Sequence, residues 1–179
     1  MRPWAVVLLF AAIAPAEEVR AGVFVDSGKM KIITVLIRCL GDNKKYLMEP
    51  ENPAVLRRLA QDNWAQSKAD MTTATTLRDA GIYYAAVFFA QQAAEKSLKA
   101  AIINRLSKSP RGHNLITFAN DLHAPIEVMN AAAELNMEFL SSRNPEHADG
   151  VPAQIHDAKS ANLHIRASEA IVGWARNIL

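Results

Sequence analysis

From Ile82 to Leu106 the chain runs without a glycine or a proline and is rich in Ala, Leu, Gln, Glu and Lys. A stretch of that length and make-up has one inexpensive conformation, a long α-helix, because its residues lose little rotamer freedom there. The first half, IYYAAVFFA, is apolar on nearly every side. Such a helix must be covered on several faces, either in the middle of a bundle or at a subunit interface. The second half is amphipathic, and Glu95 and Lys99 stand one turn apart as an ion pair worth about 0.2–0.5 kcal/mol on a solvated face. Everything else in the chain has to fold around this element.

The flanking segments carry helical punctuation. Asn52-Pro53 places an N-cap before a proline at the first helical position, and Leu56, Ala60, Trp64, Met71 and Ala74 follow with helical spacing to Asp79. Gly81 suits the left-handed residue that ends such a helix. After the break Ser109-Pro110-Arg111-Gly112, the apolar residues Leu115, Phe118, Ala119 and Leu122 mark a short helix. Pro125 opens another, with the stripe Ile126, Met129, Ala133, Met137 and Leu140, closed by Asn144-Pro145. Pro152 is expected to start the last helix, lined by Ala167, Ile171, Trp174 and Ile178. Residues 52–179 therefore read as an all-α domain, an antiparallel up-and-down bundle of about five helices with short connections.

Residues 1–51 read differently. An apolar run from Trp4 to Ala14, followed by Ala14-Pro15-Ala16, has the form of a secretory signal and is too short for a permanent membrane anchor, which needs about 20 residues. The alternative is a misassigned start, since Met30 and Met48 are internal candidates and Met48 stands just before the first helix. Val23–Val25 and Ile32–Ile37 are β-branched runs whose spacing predicts a short hairpin, an N-terminal extension of the bundle.

Composition narrows the chemistry. The formal net charge is +2, so a nucleic-acid site has to be local rather than a property of the whole surface. Cys39 is the single cysteine, which excludes an internal disulfide and a thiolate zinc knuckle. His156 and His164 are eight residues apart, without the i,i+4 spacing or the companion ligands of a metal motif, so no metal and no cofactor is expected. A glycine-rich phosphate loop, G-x-S-x-G and H-E-x-x-H are all absent. Classical nucleotide hydrolysis, ester hydrolysis and zinc proteolysis lack their parts.

The block AGIYYAAVFFAQQAAEKSLKAAI, then GHNL after a proline-containing turn, then FLSSRNP before a final helix, resembles the HEPN domain family of prokaryotes and archaea, over about residues 62–179. The resemblance implies an antiparallel helical bundle that forms homodimers. It also implies a range of activities: metal-independent RNA endonucleases of toxin–antitoxin type, domains encoded beside a small nucleotidyltransferase, and domains that only bind nucleotides.

Catalytic members carry an arginine followed, after four to six residues, by a histidine. Here Arg143 is followed by His147 after three. In that role the guanidinium would fork onto a phosphate and the imidazole would take a proton from a ribose 2′-hydroxyl. Arg111 and His113 are candidates for holding a phosphate, and Glu95 and Lys96, which match the family's AEK segment, are further candidates for the nucleotide- or RNA-binding site. The resemblance favours the cytosol, the leader-like segment favours export, and the longer match decides for the cytosol. An enzyme, a non-catalytic nucleotide- or partner-binding module and an exported interaction bundle are the three readings that follow.

Overall fold

The computed structural model describes residues 52–179; the leader-like segment, the expected hairpin and Cys39 lie outside the described residues. Among those residues there are helices and turns and no strands. The first helix, α1, spans Pro53–Asp79, and its start is the one expected: the Asn52 side chain accepts from the Ala54 amide at 2.9 Å and Pro53 occupies the first turn. Gly81, at φ +75°, turns the chain into α2, Tyr83–Leu106. Because this link is so short, the two longest helices run antiparallel and share a long interface.

Helix α2 is the centre of the bundle. Ala86, Val87, Ala90, Ala93, Ala94, Leu98, Ala100, Ala101 and Ile102 have no exposed surface. The many alanines let neighbouring helices come close enough to bond its backbone. The Ser67 hydroxyl of α1 donates to the Ala93 carbonyl, and the Ser168 hydroxyl of the last helix donates to the Ala90 carbonyl, each at 2.7 Å. Two buried hydroxyls that look like poor core residues thus find partners in a helix that is itself fully bonded.

Past the turn at Ser107, two helices follow: α3, Leu115–Asp121, and α4, Ile126–Asn136. Asn114 caps α3, accepting from the Thr117 amide at 2.9 Å. Three single turns come next: α5, Glu138–Ser141; α6, Pro145–Ala148; and α7, Pro152–Ile155. The last helix, α8, spans Ala158–Ile178. One apolar cluster joins Leu98 and Ile102 of α2 to Leu115 and Phe118 of α3, Val128 and Leu135 of α4 and Ile171 of α8. A second joins Ala74, Val87 and Ala90 to Ala161 and Ile165. Burying each large aliphatic side chain contributes about 1.5–3 kcal/mol, so these clusters hold the helices in register.

Two local expectations are corrected. The last helix starts at Ala158 rather than Pro152: the chain is extended through His156 and Asp157, and Asp157 caps α8 by accepting from the Ser160 amide at 2.7 Å. In α4 the buried residues are Val128, Ala131, Ala132 and Leu135, whereas Ile126 and Met137 of the expected stripe are 66% and 64% exposed. Both stripes have helical spacing; the one made of Val128, Ala131, Ala132 and Leu135 is the one that enters the apolar cluster shared with α2, α3 and α8. On the first half of α2, Tyr83, Phe88 and Phe89 are half-buried, while Ile82 and Tyr84 remain exposed.

Candidate functional site

The turn α5 and the residues just after it project an arginine next to the aromatic half of α2. The Arg143 and Asn144 amides donate to the Leu140 carbonyl at 3.3 and 2.9 Å, and the Ser142 hydroxyl donates to the Glu138 carbonyl. These bonds fix the direction in which Arg143 leaves the turn. Its guanidinium carbon lies 4.4 Å from the centre of the Phe139 ring and 5.1 Å from that of Phe88. Two aromatic rings at that range attract the cation through their π faces without taking up its N–H donors. Arg143 is exposed, and among the described residues it belongs to no ion pair.

The same Phe139 ring stacks on His113, with centroids 4.0 Å apart and planes 12° from parallel. His113 Nδ1 is 2.9 Å from Glu95 Oε1, and Lys99 Nζ is 2.8 Å from the same oxygen. Glu95, 4% exposed, also accepts from Gln91 at 3.1 Å. Burial alone would raise the pKa of its carboxyl. The hydrogen bonds from Lys99, His113 and Gln91 outweigh that and hold it below the ordinary carboxylate value. A chain of contacts therefore runs from a buried carboxylate through an imidazole and a phenyl ring to an exposed guanidinium.

The sequence-predicted residues divide accordingly. Glu95, His113 and Arg143 are brought into this one chain of contacts. Lys96 is turned to α1, where its Nζ is 2.8 Å from the buried Asp70 carboxylate and also donates to Gln92. Arg111 is exposed in the turn before α3. His147 is exposed on α6, its backbone amide bonded to the Asn144 carbonyl. The structure records no contact between His147 and Arg143.

Sequence reading missed the aromatic pair that carries Arg143. Phe88 reads as a core or interface residue, and Phe139 stands out only once the α5 turn is seen. It also missed a second polar cluster on the far side of α5. His164 Nε2 lies 3.4 Å from Glu138 Oε1 and 3.5 Å from Glu134 Oε1, and His156 Nε2 lies 3.6 Å from Glu138 Oε2. The carboxylates that meet these imidazoles come from α4 and α5, about twenty to thirty residues earlier in the chain. Among the described residues no group of three His, Cys, Asp or Glu is placed to hold a metal ion, and no helix is long and apolar enough to cross a membrane. A cleft of about 600 Å³ lies elsewhere, between the start of α1 and the ends of α2 and α8, lined by Leu56, Trp64, Ile103 and Arg176 among others.

The bundle is similar to that of TT1696 from Thermus thermophilus, at 25% identity and a TM-score of 0.63 over 67% of this chain and 98% of that one. It shares its fold with ST0689, an archaeal HEPN homologue, at 24% identity and a TM-score of 0.59 over 66% of this chain and 95% of that one. It does so too with a HEPN domain protein from Thermotoga maritima, at 24% identity and a TM-score of 0.51 over 65% of this chain and 95% of that one. No curated protein matches the chain. The HEPN domain model matches residues 60–178, which takes in the central helix, the Glu95–His113 pair and the Arg143 turn. On that match, the chain belongs to the HEPN domain family.

Proposed function

We propose that this HEPN domain binds a phosphodiester or nucleotide phosphate at Arg143 and, with His147 as base, cleaves single-stranded RNA without a metal ion. The observation that carries the reading is the Arg143 side chain: exposed, outside every ion pair among the described residues, and set 5.1 and 4.4 Å from the ring centres of Phe88 and Phe139. A guanidinium committed to structure spends its donors on carboxylates or backbone carbonyls, as Arg105 does on the Ile178 carbonyl at 2.9 Å. One supported by rings keeps its donors for an anion and offers the forked geometry that a phosphate takes.

In the proposed reaction Arg143 neutralises the charge that builds on the scissile phosphate. His147 removes the 2′-hydroxyl proton, so that the 2′-oxygen attacks phosphorus and the 5′-oxygen leaves. Two such sites across a homodimer would form one slot, and the exposed Ile82 and Tyr84 beside half-buried Phe88 and Phe89 are the surface offered to a second copy. A small nucleotidyltransferase as partner and a cytosolic location belong to this reading. So does a boundary near residue 52 between the extension and the bundle. The separation of Arg143 and His147 onto different turns favours one second reading, a binding module that holds a nucleotide or partner without cleaving it.

The test is cleavage of a mixed single-stranded RNA pool by the full chain in EDTA, beside Arg143→Ala and His147→Ala. Loss of cleavage in both variants is the expected result. Absence of cleavage with RNA binding that depends on Arg143 alone selects the binding module, and RNA binding indifferent to Arg143 refutes both.

A further inference from the structure

The cluster behind α5 is unusual in an alanine-rich core: two imidazoles, 9% and 7% exposed, meet two carboxylates from other helices. Its hydrogen bonds fix the state of one imidazole. His164 Nδ1 lies 2.8 Å from the Ser160 carbonyl, which can only accept, so the Nδ1 position carries a proton. Nε2 then faces Glu134 of α4 and Glu138 of α5. In the neutral ring it would turn a lone pair to two carboxylates, and in the charged ring it turns a proton to them. His156, beside Asp157, meets the same Glu138 from the other side, and its Nδ1 is 3.0 Å from the Ser160 hydroxyl.

The electrostatic balance agrees with the geometry. At His164 burial opposes charge, but the hydrogen bond and charge of Glu138, the Ser160 carbonyl and Glu134 outweigh it and raise the pKa. At His156 burial wins and lowers the pKa, with the neighbouring His164 adding to the effect. The charged form is thus favoured at His164 and disfavoured at His156. Glu138 is held charged, its burial more than offset by His164, Ser141 and His156. This carboxylate is also the first residue of the turn whose next residue is Phe139 and whose exit is Arg143.

We infer that His164 is a positioning residue for Arg143: its imidazolium ties Glu138, and with it the α5 turn, to α8, and loss of its proton as pH rises frees the turn that carries Phe139 and Arg143. The functional half of this inference rests on the phosphate-binding reading of Arg143. A histidine whose folded pKa is raised contributes stability that is complete below its ordinary value near 6.5 and disappears as pH climbs through the higher folded value. Glu138, with a lowered pKa, contributes above about 4.5 and loses its part as pH falls through its own folded value. The tie is therefore complete between about pH 4.5 and 6.5 and opens as pH climbs through the raised folded value of His164.

The experiment follows the imidazole Cε1–H signals of the full chain by NMR from pH 5 to 9, with backbone amide exchange at residues 138–144 corrected for its intrinsic pH dependence. His164 is expected to titrate above 6.5 and His156 below it. Protection at 138–144 is expected to fall severalfold across the His164 midpoint. Glu138→Gln should move that midpoint down, and His164→Gln should abolish the pH-dependent step in protection. His164 titrating at or below 6.5, protection that ignores its midpoint, or Zn(II) binding that silences both imidazole titrations would overturn the inference. Exchange is read without RNA, so its failure refutes the tie alone. Failure of a labelled single-stranded RNA to bind at every pH refutes the Arg143 reading and leaves the tie standing.

Discussion

Replacing Lys96 by methionine separates framework from site, because the structure places that ammonium against α1 and not beside Arg143. Lys96 Nζ is 2.8 Å from Asp70 Oδ2, with side-chain exposures of 24% and 5%. Asp70 keeps one other side-chain donor, Gln66 Nε2 at 2.8 Å. Removing one partner of a fully buried pair costs about 3–5 kcal/mol, whereas an exposed pair is worth about 0–1 kcal/mol. With the carboxylate buried and the ammonium a quarter exposed, Lys96→Met should destabilise the domain by about 2–3 kcal/mol. At a few degrees per kcal/mol, that lowers Tm by roughly 10 °C.

The assay is urea unfolding of the full chain for Lys96→Met, Asp70→Leu and the double variant. The double variant should recover most of the loss, since an apolar pair can replace a buried ion pair at little cost. A loss under about 0.5 kcal/mol, the value of a solvated pair, would refute the placement of Lys96 in the α1–α2 interface. So would a double variant as unstable as the sum of the singles. Intact stability with lost RNA binding would return Lys96 to the functional site.

Two further outcomes test the fold and the base of the contact chain. Glu95 has a lowered pKa, so its contribution is complete above about 4.5 and lost as pH falls through the folded value; urea midpoints measured from pH 7 to pH 3 should fall less steeply in Glu95→Gln than in the natural chain. Gly81→Ala meets no atom within 4 Å and so should cost only the backbone strain of φ +75°, about 1–2 kcal/mol by chemical denaturation.

Local chemistry made the helices legible. Asn52-Pro53, Gly81 and the unbroken run to Leu106 act through bonds and dihedrals within a few residues, and each stands in the structure where its sequence put it. The resemblance carried by AQQAAEKSLKA and RNP was likewise readable, and the family follows from it. Faces were harder. In α4 two stripes satisfy the same period, and of the expected one only Met129 packs against the core while Ile126, Ala133 and Met137 are exposed.

The amino-acid sequence by itself determined that residues 52–179 form an all-α domain around one long apolar helix, and where its first two helices begin and end. Tertiary structure decided what each polar side chain touches. Glu95 and Lys96 are neighbours in sequence, yet successive helical positions point about 100° apart, so one side chain meets His113 and the other meets Asp70. Arg143 becomes a supported, unpaired cation because Phe88, fifty-five residues earlier, packs beside it. The acids for His156 and His164 come from helices that only packing brings near. Burial and charge depend on distance in space, and a linear pattern records distance along the chain.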